Sequence, residues 1–192
     1  WVNSDGETYH GYREDGYFPE AFVNLLAMLG WNPGTEQELF SMQELIEAFR
    51  IEKVGKSGAK FNPDKAKWFN KEYLRAKSDE ELASLYEPVL KAHGVEADHA
   101  YVEKVVGLIK DRATFVADFW TIAPYLFVAP SDYVEKDLRK FGTPENWAMA
   151  HEAITSGEDL ESYIRGREWP MGKVMNCIRL ALTGASSGLG IA

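Results

Sequence analysis

Two groups of residues in this 192-residue chain have types and spacings that could do chemistry. The first, Thr183-Gly-Ala-Ser-Ser-Gly-Leu-Gly190, is spaced like a glycine-rich phosphate loop, in which backbone amides at a helix N-terminus face a pyrophosphate. Such a loop leaves a strand and opens a helix inside a βαβ unit. Here the helix-like run Val174 to Leu182 precedes it and only Ile191 and Ala192 follow, so a glycine C-cap and tail is the favoured reading. The second is Arg112. Val102, Val105, Ile109, Val116 and Phe119 repeat at steps of three and four around it, which places a cation on a face that should be apolar. An arginine there must pair internally, with Asp118 or Asp111, snorkel to an edge, or emerge to meet a ligand.

The remaining candidates are weighed by charge and neighbourhood. The net charge of −9 argues against a generic nucleic-acid binder, because non-specific affinity comes mainly from phosphate neutralisation. An RNA partner then requires a local basic face. The available cations are Lys104, Lys110 and Arg112, then Arg139 and Lys140, then Arg165, Arg167, Lys173 and Arg179, whereas acidic clusters at Glu36 to Glu47 and Asp79 to Glu87 lie earlier. His10, His93, His99 and His151 lack metal-ligand spacing, and no metal is expected. The single cysteine, Cys177, lies in an apolar helical run and reads as a buried thiol. Trp31, Trp68, Trp120, Trp147 and Trp169 could stack bases, with core packing the ordinary role of each. Neither a membrane span nor a secretory leader is seen, so a reducing, cytoplasmic setting is expected.

The elements that must position these residues are helices. Pro19 suits a first helical position, Phe22, Leu25, Leu26 and Leu29 form an apolar stripe, and Gly30 stops the run. Ser41 with Glu44 is a capping box, stapled by Phe40 and Leu45, opening a helix through Phe49. Asn62-Pro63 opens another, and Ser78 with Glu81 a third that carries Leu82, Leu85, Val89 and Leu90 and ends at Gly94. One long helix is expected from about Asp98 to Phe119. Thr143-Pro144 opens a helix through Ile154, Ser156 or Asp159 one through Arg165, and Gly172 precedes the last, which ends at Thr183-Gly184. The fold class is mainly α, a helical bundle, with a short strand or hairpin around Glu7-Thr8-Tyr9-His10. The domain boundary is placed at Lys77-Ser78, giving 1–76 and 77–192, with a further subdivision at the proline-bearing stretch 123–131.

Four blocks then occur in a recognisable order. The run Gly11 to Gly34, with its Tyr-Phe-Pro-Glu-Ala-Phe-Val-Asn-Leu-Leu core, resembles the segment after the active-site signature of bacterial glutamyl-tRNA synthetases. Phe61-Asn-Pro-Asp-Lys-Ala-Lys-Trp-Phe-Asn70, Leu108-Ile-Lys-Asp-Arg-Ala-Thr-Phe115 and Gly172-Lys-Val-Met-Asn-Cys-Ile-Arg-Leu-Ala-Leu-Thr-Gly184 are similar to later blocks of the same enzymes. Cys177 departs from the proline usual in the last block, and the tail lacks the common Pro-Gly-Leu wording. Neither the His-Ile-Gly-His-like nor the Lys-Met-Ser-Lys-like nucleotide motif is present.

The resemblance implies a stem-contact region followed by a helical anticodon-binding domain, truncated at its C-terminus, of a class I ligase. That ligase attaches glutamate to tRNA using ATP and Mg. For this stretch it implies no catalytic residue, no cofactor and no metal. It implies tRNA(Glu) and the enzyme's own N-terminal catalytic domain as partners, with Arg112, Lys104, Lys110, Lys173, Arg179, Ser187, Gly188 and Leu189 as tRNA contacts. Arg112 matches a position at which some members read the third anticodon base. Two rivals stand beside it: an NAD(P)-dependent oxidoreductase of the short-chain type, from the glycine-rich loop, and a helical adaptor without a nucleic-acid partner.

Overall fold

The computed structural model describes residues 10–56 and 58–189. The described residues form ten α-helices with 3-10 turns between them and no named strand; one isolated bridge joins Trp31 and Val54. The chain divides into two compact units, Trp1–Ile122 and Ala123–Ala192. The expected hairpin falls almost wholly on residues 7–9, outside the described residues, and His10 carries no regular structure.

In the first unit, α1 (Pro19–Gly30), α2 (Met42–Ala48), α3 (Pro63–Ala76), α4 (Asp79–Ala92), α5 (His99–Ile109) and α6 (Asp118–Ile122) follow one another. Their starts obey local chemistry. The Ser41 hydroxyl accepts from the Glu44 amide while the Glu44 carboxylate accepts from the Ser41 amide at 2.7 Å, a reciprocal box. Asn62 accepts from the amides of Asp64 and Lys65. Ser78 accepts from the Glu81 amide, but the Glu81 side chain turns to Lys77, so only half of the second box forms.

The apolar stripe of α1 is rotated from the expected one. Ala21, Asn24 and Leu25 are buried and Leu26 is half exposed, because Asn24 turns inward: its Oδ1 accepts from the Phe40 amide and the Tyr73 hydroxyl, both at 2.8 Å. In α4, Ala83 and Tyr86 join Leu82 and Leu90 inside, whereas Leu85 faces out.

The second unit holds α7 (Glu135–Phe141), α8 (Pro144–Thr155), α9 (Leu160–Gly166) and α10 (Met171–Thr183). Its core gathers Ala150, Ala153, Ile164, Val174, Cys177 and Ile178 beneath Trp147, Tyr163 and Trp169. Burial pushes the Cys177 thiol pKa up, which suits packing rather than nucleophilic attack. Thr143 caps α8 and Asp159 caps α9. The last helix begins at Met171 with Pro170 as its N-cap, so Gly172, expected to precede the helix, lies in its first turn.

The expected long helix is the main correction. It stops at Ile109, tightens into a 3-10 turn over Lys110–Arg112, and breaks at Ala113, whose ψ is 151°. The apolar stripe therefore ends with Val102, Val105 and Ile109.

Candidate nucleic-acid interface

The turn that carries Arg112 is braced from four directions. Asn70 on α3 is fully buried; its Nδ2 donates to the Thr114 carbonyl at 2.7 Å and its Oδ1 accepts from the Phe18 amide at 2.8 Å. Asp118 accepts from the amides of Thr114 and Phe115, both at 2.9 Å, which ends the turn and starts α6. Arg75 Nε reaches Asp111 at 2.8 Å, and Lys110 Nζ pairs with Asp79 at 2.7 Å while donating to the Lys77 carbonyl. Gly107 permits this last approach, since a Cβ there would lie 2.7 Å from an Asp79 carboxylate oxygen.

Arg112 is exposed at the end of this turn rather than set on a buried stripe. Of the two aspartates considered beside it, Asp111 pairs with Arg75 and Asp118 accepts from backbone amides. A guanidinium held on a fixed turn offers planar donors to an acceptor-bearing group and nothing to a donor. Lys104 is exposed on α5. Lys110, paired with Asp79, is less than a quarter exposed and acts as a brace of the turn.

A second cluster lies wholly within the second unit. Gly184 closes α10 in the left-handed region at φ 77°, and its carbonyl accepts from the Val134 amide at 2.8 Å. Beyond it, the Ser186 amide donates to Asp137 at 2.8 Å, Arg179 Nη1 donates to Asn176 at 3.1 Å and to the Ser186 carbonyl at 3.4 Å, and the Leu189 amide donates to the Tyr125 hydroxyl at 3.2 Å. The Ser186 bond holds the Asp137 carboxyl below its ordinary value. Ser187 and Gly188 face outward between these anchors, and Lys173 is exposed on the first turn of α10. The tail is thus a folded loop as far as Leu189. It follows a helix rather than a strand, the wrong context for a dinucleotide loop; Gly190 lies outside the described residues.

The eight sequence-predicted residues therefore fall into two groups: Lys104, Lys110 and Arg112 around one braced turn, and Lys173, Arg179, Ser187, Gly188 and Leu189 around the tail. Sequence reasoning missed the residues that position them, Asn70, Asp118 as an acceptor of amides, Tyr125 and Asp137.

Comparison with known proteins decides what this arrangement belongs to. Residues 81–192 match the family model of the anticodon binding domain, and residues 5–68 match part of the model of the class I (E and Q) tRNA synthetase catalytic domain. The chain belongs to the glutamyl-tRNA synthetase family. It is 42% identical to a glutamate–tRNA ligase of Parabacteroides distasonis over 97% of its own length and 39% of that relative, and 44% identical to one of Bacteroides fragilis over 95% and 39%. The crystal structure of a glutamate tRNA ligase from Elizabethkingia meningosepticum in complex with its amino acid superposes with a TM-score of 0.89 at 38% identity, covering all of this chain and 40% of that one. The chain thus spans about two fifths of the length of the curated relatives it matches. No helix among the described residues is long and apolar enough to cross a membrane.

Proposed function

We infer that this chain binds tRNA(Glu), with Arg112 and the 184–189 loop as its anticodon contacts, as part of a cytoplasmic ligase that joins glutamate to the tRNA. The observation that carries this reading is that the anticodon-binding match over 81–192 contains all eight residues singled out from the sequence. The chain itself contributes recognition and no bond-making chemistry, since it lacks both nucleotide motifs; ATP and Mg belong to the rest of the catalytic domain, which is its second partner.

The chemistry of recognition follows from donors and acceptors. Unpaired cytosine, the third anticodon base of glutamate tRNA, presents its ring nitrogen and carbonyl as acceptors on its pairing edge. Guanine, at that place in glutamine tRNA, presents two donors there. Arg112 has only donors, so guanine leaves unsatisfied groups facing each other, at a cost of about 1–3 kcal/mol. The test is binding of anticodon stem-loops ending in either base. The native chain should prefer cytosine by about tenfold or more and Arg112→Gln should bind both alike. Equal discrimination in both proteins, with folding intact, would make Arg112 structural. Glutamate-dependent pyrophosphate exchange above a blank would overturn the claim that the chain lacks activating chemistry.

A further inference from the structure

Selection by Arg112 is selection by rejection: guanine is refused because its donors face a group that has only donors. That penalty lasts only while the arginine stays in place. A turn free to shift by about 1 Å lets the guanidinium lean aside and water enter between the donors, and guanine is then held by the same surrounding contacts as cytosine. Specificity therefore depends on what fixes the turn, and its braces differ in how firmly they do so.

The ion pairs Arg75–Asp111 and Lys110–Asp79 sit partly in solvent, where such pairs contribute little. Asp118 accepts from amides only three and four residues before it, so it shapes the turn but travels with it. Asn70 differs from both. Its side-chain amide, fully buried on α3, spans from the Phe18 amide at the start of α1 to the carbonyl of Thr114, two residues past Arg112. Ala113, between Arg112 and Thr114, is fully buried, and Phe115 packs edge-on against Tyr17 at 4.9 Å. Water competes poorly for bonds made by a buried amide, so this brace does not yield as the surface pairs do. The two family matches leave residues 69–80 between them, and Asn70 stands in that interval with one bond to each side, Phe18 in the first match and Thr114 in the second.

We propose that Asn70 is a specificity-determining positioning residue of anticodon recognition: without touching RNA, it ties the Arg112 turn to the start of α1 and so denies Arg112 the room to accept guanine. This role rests on the reading of Arg112 given above. Loss of Asn70 relaxes selection by admitting the wrong base rather than by weakening the right one.

The test is titration of the 192-residue chain with anticodon stem-loops ending in cytosine or guanine. The native chain prefers cytosine by about tenfold or more on the reading above. Asn70→Ala should reduce that preference to about threefold or less, chiefly through tighter binding of the guanine loop, with the cytosine loop within about threefold of native. Asn24→Ala is the control: it removes an equally buried amide, bonded to Phe40 and Tyr73, and should leave the preference as in the native chain. Circular dichroism at the titration temperature establishes that the variants are folded. Asn70→Ser, smaller and able to keep one of the two bonds, stands in should alanine not fold, and is expected to lose the preference in the same way. An unchanged preference in a folded Asn70 variant would overturn the role of Asn70 while leaving that of Arg112 intact, as would an equal loss of affinity for both loops. The same loss of preference in Asn24→Ala would overturn it too, as a general loosening of the first unit. No preference in the native chain would overturn both readings together.

Discussion

The Arg112 turn and the C-terminal loop are fixed by different means. The turn is held by a fully buried amide, Asn70, together with ion pairs and a carboxylate cap, drawn from residues of α3 and α4 that lie 31 to 44 positions away as well as from its own end. The loop is held by a left-handed glycine and three polar contacts at or near the surface, from Asp137, Arg179 and Tyr125. Water competes poorly for bonds made by a buried amide and readily for bonds made at a surface. The turn is therefore part of the folding unit that presents its arginine, while the loop can open without unfolding what lies beneath it.

The sharpest way to break this contrast is to remove the buried brace. Asn70→Ala strands the Phe18 amide and the Thr114 carbonyl inside the first unit, which should cost about 2–4 kcal/mol. Urea unfolding should show the midpoint falling at unchanged slope. A loss below about 1 kcal/mol would mean that water replaces Asn70 and the turn is no better buried than the loop. Gly184→Ala tests the other side. Its φ of 77° is unfavourable for alanine, and an added Cβ would collide with the Asp132 carbonyl and approach Pro130 at 3.3 Å. A cost of about 1–3 kcal/mol is expected. Protease cleavage near residues 184–189 should accelerate more than unfolding of the second unit.

What was legible in the sequence was what the chain decides locally. Ser41 with Glu44, Asn62-Pro63 and Thr143-Pro144 satisfy amides two or three residues away, and Pro19 brings no amide to satisfy in the first turn, so spacing alone places those helix starts. Arg112 was misplaced on a buried stripe because nothing nearby ends the helix at Ile109. The break depends on the Thr114 carbonyl meeting Asn70 and on Asp118 accepting amides instead of pairing with a cation. Asn24 escaped for the same reason: a pattern of apolar residues turns an asparagine outward, but its two acceptor bonds come from Phe40 and Tyr73. Lys110 reads as a free basic residue until Asp79 is beside it. The helix α7 carries no N-cap side-chain bond, which left Glu135–Phe141 without a start signal.

The smallest effect expected is also the most selective for the loop. The Ser186 amide bonded to Asp137 favours the ionised carboxylate, so its folded-state pKa lies below the ordinary 3.8. A carboxylate whose pKa is depressed on folding contributes stability that is present above its unfolded value and is lost as pH falls through the folded value. The loop should thus be held throughout the neutral range and down to about the ordinary carboxylate range, then loosen below it as Asp137 is protonated. Asp137→Asn should remove this step, because the amide cannot ionise, while its carbonyl keeps an acceptor for the Ser186 amide. Asp118, which also accepts backbone amides but sits in the braced turn, serves as the comparison. Amide exchange at Ser186, followed against that at Thr114 as pH is lowered and corrected for intrinsic rates, should lose protection first at Ser186. Simultaneous loss at both amides would show that loop and turn open as one event, and that the contrast between them does not exist in solution.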